Sequence, residues 1–206
     1  MLYDAQAGRW IITDFAWISS SGPYYECIAV SKTSDPVSGG WWFYAFPAHD
    51  TYMNDYPKLG VWPDGIYMSA NMFNGNTFAG VRVWALNRDD LYSGSTLRSV
   101  YFDVSSSYSS LLPSNLRGTA PPTGSPNFFT SVKSPNIMYL WKFHVDWSSP
   151  GSSTFTGPTS LTVASFTWPC NSGLTRACVP ELGGEYVDSL GNRLMMQLQY
   201  RNIGGT

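Results

Sequence analysis

The chain carries little charge. Of its 206 residues, 12 are Lys or Arg and 14 are Asp or Glu, so the charged share is 13%, against roughly 25% in an average soluble domain. With a net charge of −2, no basic patch is large enough to neutralise many phosphates, which excludes nucleic acid as a partner. Long apolar runs are missing too. None approaches the ~18 residues of a membrane-spanning helix, so no membrane span is expected. Histidine is confined to His49 and His144, and glutamate to Glu26, Glu181 and Glu185. There is no phosphate loop ending in Gly-Lys-Ser/Thr, no Gly-x-Ser-x-Gly elbow and no His-Glu-x-x-His. Cys-x-x-Cys and the alternating acids of a calcium loop are also lacking. Neither cofactor nor metal is therefore expected. The opening Met1-Leu2-Tyr3-Asp4 has no basic or apolar signal segment and already reads as strand. The expectation is a chain cut from a longer one.

What is abundant is rings and hydroxyls. Aromatic residues make up 16%, with 9 Trp and 13 Tyr, and 42 residues are Ser or Thr. A hydrophobic share of 43% is too high for disorder. Short aromatic and β-branched runs alternate with Gly, Pro, Asn and Asp, which is the signature of strands and turns. Helix evidence is thin. Residues 87–94 hold an Asn cap and a Gly stop, and 109–117 could form a turn, but neither shows a sustained 3.6 period and both read as loops. Helix content under about 10% is expected, far below the usual third.

The strands group into recurring units. The first runs through 2–4, 9–17, 24–32 and 41–46, and the second through 58–62, 66–73, 81–86 and 98–104. A third runs through 127–132, 137–147 and 159–164, its opening strand degraded into the loop 118–124. A fourth start covers 186–190 and 193–202. Trp10, Ile66, Phe128 and Leu194 hold the same place in the four starts. Segments 30–36, 84–90 and 141–147 match one another: an apolar strand runs into a polar stretch whose Asp can accept backbone N–H groups and close the next turn. The Pro63-Asp64-Gly65 turn should put Gly65 at positive φ. A four-stranded antiparallel meander repeated about every 60 residues buries both faces only when like sheets stack around an axis, as β-propeller blades do. Blades are expected at 2–50, 56–117, 123–168 and, partial, 186–206.

Four segments carry a resemblance: Arg-Trp-Ile-Ile-Thr-Asp-Phe (9–15), Tyr-Pro-Lys-Leu-Gly-Val-Trp-Pro-Asp-Gly-Ile-Tyr (56–67), Leu-Trp-Lys-Phe-His-Val-Asp-Trp (140–147) and Leu-Met-Met-Gln-Leu-Gln-Tyr-Arg-Asn (194–202). They resemble an uncharacterised family of secreted bacterial and environmental proteins built from propeller-like units. The resemblance covers most of the chain. It implies an all-β architecture and an extracellular or cell-surface location, names no activity, and implies an array extending beyond both ends. The expectation is three blades plus the start of a fourth, an open arc or an oligomer. The terminal strand would then close on the first unit, pair with another chain, or lie on the third unit. A bare strand edge is a template for self-association.

Cys170 and Cys178 sit in a Pro- and Gly-containing loop at a spacing that suits a disulfide, and so an oxidising compartment. Cys27 lies in an apolar strand run and is expected free and buried. The candidate chemistry is sparse. His144 and Asp146 would share one strand face, as a dyad or as a structural pair. A glycosidase needs two carboxylates flanking one bond. Glu26 follows Tyr24-Tyr25 and could be a general acid with Asp14 or Asp64 as partner, although Asp64 reads first as a turn residue. Tyr24, Tyr25, Trp41 and Trp42 are candidate ligand-binding rings, since aromatic faces stack on sugars. The leading expectation is an extracellular binding or structural module with a glycan or protein ligand, and the alternative is a glycan-active hydrolase.

Overall fold

The computed structural model describes residues 1–172, 177–195 and 197–204. Strand accounts for 52% and helix for 6%, as the turn-rich, β-branched sequence requires. Three four-stranded antiparallel meanders follow one another along the chain, the first two forming four-stranded sheets and the third part of a five-stranded sheet. Sheet 1 comprises β1 (Leu2–Asp4), β2 (Arg9–Trp17), β3 (Tyr24–Ser31) and β4 (Trp41–His49). Sheet 2 comprises β5 (Met53–Val61), β6 (Gly65–Asn74) and β7 (Thr77–Asn87), then helix α1 (Arg88–Ser93) and β8 (Ser99–Val104). Sheet 3 comprises β9 (Leu112–Leu116), β10 (Asn127–Ser134), β11 (Ile137–His144), a 3₁₀ turn (Pro150–Ser152) and β12 (Thr154–Thr162). A short helix α2 (Pro169–Ser172) leads to a small ladder of β13 (Ala177–Val179) and β14 (Val187–Asp188). Finally β15 (Leu198–Tyr200) pairs parallel with β9. None of the sheets closes on itself.

Strand alternation assigns each sheet its faces. In β3, Tyr24, Glu26, Ile28 and Val30 are buried while Cys27 between them is exposed. The inward face of sheet 1, with Ile11, Ile28, Val30 and Phe46, packs on Ile66, Met68, Trp84 and Leu86 of sheet 2. The other face of sheet 2, with Tyr67, Val81, Val83 and Ala85, packs on Phe129, Trp141 and Phe143 of sheet 3. Sheet 2 is thus covered on both sides, and eight consecutive residues of β6, from Gly65 to Met72, are buried. Rings fill the second interface: Tyr67 meets Phe143 edge-on at 5.2 Å, and Phe102 meets Phe143 likewise at 5.2 Å. Edge-to-face contacts of this kind add about 0.5–1.5 kcal/mol beyond burial.

Several buried polar groups around sheet 3 are paired, as the low interior dielectric favours. Ser110 N donates to Asn71 Oδ1 at 2.8 Å, and Asn71 Nδ2 donates to Ser110 Oγ at 3.1 Å. Asn115 Oδ1 accepts from Val61 N at 3.0 Å, and Asn127 exchanges bonds with the Ser114 backbone at 3.2 and 2.9 Å. At Gly60 a Cβ would collide with the Ser114 carbonyl, so glycine lets β5 approach β9.

Several expectations change. The third meander opens with β9, inside the segment read as a loop or turn, and not with loop 118–124. Its sequence, Leu-Pro-Ser-Asn-Leu, has no alternation because every residue of it is buried, and side-chain amides hold it in place. Residues 87–94 form a genuine helix, α1: Asn87 Oδ1 accepts from Asp90 N at 3.0 Å, and Gly94 ends it in the left-handed region at φ 72°. Gly65 is not at positive φ. It already belongs to β6, where a Cβ would meet the Leu86 carbonyl at 3.2 Å. Residues 186–206 do not open a fourth four-stranded meander among the described residues. Val187–Asp188 pairs with β13, and of the terminal stretch only Leu198–Tyr200 is strand, laid on the third sheet.

Other features agree with the sequence. Trp10, Ile66 and Phe128 each lie on the second strand of their sheet, while Leu194 lies outside any strand. The matched Asp residues do accept backbone N–H groups, Asp35 and Asp146 within turns and Asp90 from the far end of the α1–β8 connection. Asp35 Oδ1 accepts from Val37 N at 2.9 Å, Asp146 Oδ1 from Ser148 N at 2.9 Å, and Asp90 Oδ2 from Arg98 N at 3.0 Å. Cys170 and Cys178 are joined, with Cα atoms 5.6 Å apart. Cys27 is free but exposed rather than buried, because it shares the outward face with its register partners Asp14 and Ala45.

Candidate functional site

Among the described residues no sheet packs on the outward face of sheet 1. Register sets its rows. Tyr3 opposes Trp10, and Trp10 N donates to Ser31 Oγ at 2.9 Å, with Trp41 opposite Ser31. The next rows are Ile12–Ala29–Phe43, Asp14–Cys27–Ala45 and Ala16–Tyr25–Pro47. Phe43 is 78% exposed and Ile12 42%. Ala29 and Ala45 keep the floor low between them. The result is a shallow depression of about 550 Å³ lined by Ile12, Asp14, Cys27, Ala29, Phe43 and Ala45. In the adjoining row Tyr3 lies 4.6 Å from Trp10, and Trp41 Nε1 donates to Pro36 O at 3.0 Å. Asp14 is the one acidic group in these rows, an exposed acceptor in an otherwise neutral surface.

The candidate residues divide between the two faces. Tyr25 and Trp41 stand on the open face. Tyr24 and Trp42 face inward: the Tyr24 hydroxyl donates to Ser20 O at 2.6 Å, and Trp42 lies under Lys32 Nζ at 3.9 Å and against Gly94. The two carboxylates separate in the same way. Asp14 lines the depression, whereas Glu26 is 0% exposed on the inward face. They point to opposite faces, because Asp14 pairs with Cys27 and Glu26 with Phe15, and successive rows of the sheet alternate in direction.

Glu26 is the most perturbed carboxyl. Burial pushes it up to about 7. The Thr13 hydroxyl and the Asn54 amide oppose that shift, and the Asp14 charge adds to it. Asn54 Nδ2, from β5, donates to Glu26 Oε2 at 2.8 Å.

His144 is exposed at the end of β11, and Asp146 lies beyond the strand rather than on its face. Asp146 is engaged by Ser148 N and Oγ and by Ser149 N, and these bonds hold its carboxyl below the usual range. Its acceptors close a turn, so the two residues sit together without forming an orienting dyad. Asp64 accepts from the Tyr67 hydroxyl at 3.0 Å, and its carbonyl accepts from Trp147 Nε1 at 2.7 Å, a structural role at the Pro-Asp-Gly turn.

The sequence reading missed Phe43 and Ile12. The signal was the alternation of β2 and β4, which leaves apolar residues in phase on both faces. No protein-family model, curated protein or solved structure matches the chain. Among the described residues no helix is long and apolar enough to cross a membrane.

Proposed function

We propose that the chain is an extracellular, propeller-type binding module that takes a carbohydrate on the open face of sheet 1. The observation that carries this reading is the depression itself: a largely apolar floor with Phe43 exposed beside the carboxylate of Asp14. Rings offer apolar faces to sugar C–H groups, and a carboxylate accepts from sugar hydroxyls. The low charge of the chain suits an uncharged ligand. The extracellular location is supported by the Cys170–Cys178 disulfide and by the resemblance to secreted propeller-like proteins. Three successive meanders stacked face to face are the arrangement that blades require.

Hydrolysis is the weaker reading, since Asp14 and Glu26 lie on opposite faces and a glycosidase needs its two carboxyl groups about 5–10 Å apart across one bond.

A glycan array probed with the full chain tests the proposal, combined with a turnover screen on any glycan retained. Binding that falls at least tenfold in both Phe43→Ala and Asp14→Asn, without product release, supports it. Retention unaffected by either change, or release of product, overturns it. Concentration-dependent light scattering separates ligand binding from self-association through the same face.

A further inference from the structure

Glu26 and Asn54 meet where sheet 1 packs on sheet 2, one from β3 and one from β5. Both side chains are fully buried, each at 0% exposure. One bond between them is formed, from Asn54 Nδ2 to Glu26 Oε2 at 2.8 Å, and the same amide nitrogen reaches Tyr25 O at 3.5 Å. The atoms left over are Glu26 Oε1 and Asn54 Oδ1, and neither has a partner. Two buried acceptors without a donor in one contact are costly. A single proton removes both deficits. A carboxylic acid and a carboxamide can exchange two hydrogen bonds, N–H to one carboxyl oxygen and O–H back to the amide oxygen, and these are the four atoms present here.

We propose that Glu26 and Asn54 form an acid–amide pair, closed by a proton on Glu26 Oε1 donated to Asn54 Oδ1, which acts as a proton-dependent clasp between sheet 1 and sheet 2. The surroundings favour the neutral acid. From β2, Asp14 contributes a like charge from the far face, while the Thr13 hydroxyl favours the charged form but is outweighed by burial. From β4, the register partner is the uncharged Phe46. β5 also carries Asp55 and Lys58, which act on each other. Among the described residues no cation acts on Glu26, and Arg82 on β7 is bound to Asp103 on β8 at 2.6 Å, beside His49. Burial accordingly holds Glu26 near 7, against 4.5 for the free side chain.

The linkage has a definite sign. Below about pH 4.5 folded and unfolded chains both carry the proton, and the clasp is fully formed. Between 4.5 and 7 the unfolded chain releases the proton first, so stability falls as pH rises, and above 7 the clasp is open. The unfolding equilibrium constant should rise by roughly two orders of magnitude across that window. His49 works in the other direction: burial lowers its pKa, so its contribution grows with pH and cannot imitate the clasp.

The test is carboxyl ¹³C NMR of the full chain labelled at glutamate, where only Glu26, Glu181 and Glu185 report. One resonance titrating near 7 and lost in Glu26→Gln is expected, with the Asn54 side-chain amide resonances moving at the same midpoint. All three carboxyls titrating in the ordinary range, or Asn54 amide signals that ignore the transition, overturn the proposal. In urea titrations Glu26→Gln, whose amide can close the same pair without a proton, should lose the pH-dependent fall while keeping the wild-type stability of low pH. An unchanged pH profile in Glu26→Gln also overturns it. If that variant does not fold, the wild-type resonances decide alone.

Discussion

Sheet 2 and sheet 1 have the same four-stranded order but opposite surroundings. Sheet 2 is packed on both faces. Its central strand β6 accordingly mixes Ile66, Tyr67 and Met68 with Ser69 and Asn71, every one of them buried. The Ser69 hydroxyl donates to the Leu111 carbonyl, and Asn71 exchanges bonds with Ser110. Sheet 1 is packed on one face only, and β3 alternates between buried and exposed positions. The lesson is that a sheet closed on both sides needs internal partners for its polar groups. A sheet open on one side can leave rings and a thiol to solvent, and that is where a ligand has access.

The comparison can be broken most strongly at Trp84. It is 1% exposed on sheet 2 and meets Phe46 of sheet 1 edge-on at 6.4 Å. Trp84→Ala should cost about 3–5 kcal/mol in urea denaturation, while Phe43→Ala on the open face should change stability by less than about 0.5 kcal/mol. Equal losses would erase the distinction between the two sheets.

Asp4 ties the first strand of sheet 1 to α1. Its carboxylate accepts from Arg88 Nε at 2.8 Å, from the Tyr92 hydroxyl at 2.6 Å and from Gln6 N at 2.9 Å. Burial pushes its pKa up, but the Tyr92 and Arg88 hydrogen bonds, the Ala7 N–H and the Arg88 charge outweigh burial and lower it. Asp4→Ala leaves Arg88 without its partner and should cost about 3 kcal/mol at neutral pH. The contribution of Asp4 is present above about pH 3.8 and is lost as pH falls through its lower folded pKa. Acid unfolding of the wild type should therefore steepen below pH 3.8, and the variant should lack that step.

A smaller effect is expected at Asn71. Asn71→Ala strands the buried Ser110 N–H and should cost about 1–3 kcal/mol. The same change at the exposed Asn136 should cost almost nothing, as a paired urea titration would show.

The smallest effect on stability, and the sharpest on chemistry, concerns Cys27. Without denaturant or reductant, alkylation followed by mass spectrometry should modify one thiol, since Cys27 is exposed and Cys170 and Cys178 are joined. No modification before unfolding would mean that the open face is covered. Three modified cysteines without reductant would remove the disulfide.

Much of this architecture was legible along the chain. The Pro-Asp-Gly turn, the Asp residues that close turns, the second-strand positions of Trp10, Ile66 and Phe128 and the Cys170–Cys178 pairing all rest on local chemistry. The β9 strand was not legible: Leu-Pro-Ser-Asn-Leu has neither alternation nor β-branched residues, and it becomes a strand because Asn127, Phe129 and β15 pair with it. Nor could residue type separate Tyr24 from Tyr25 or Trp41 from Trp42. Adjacent strand residues point to opposite faces, and only the neighbouring sheet says which face is core.

The amino-acid sequence alone determined the all-β class, the meander order of the first two sheets and the low charge, because turn chemistry and strand period act over a few residues. Tertiary structure decided which of two similar faces is covered. It buried Glu26 against Asn54 while leaving Asp14 in solvent, and it exposed Cys27 and Phe43. Those outcomes depend on stacking between sheets far apart in the chain, where desolvation and the supply of hydrogen-bond partners are set by residues that no local pattern contains.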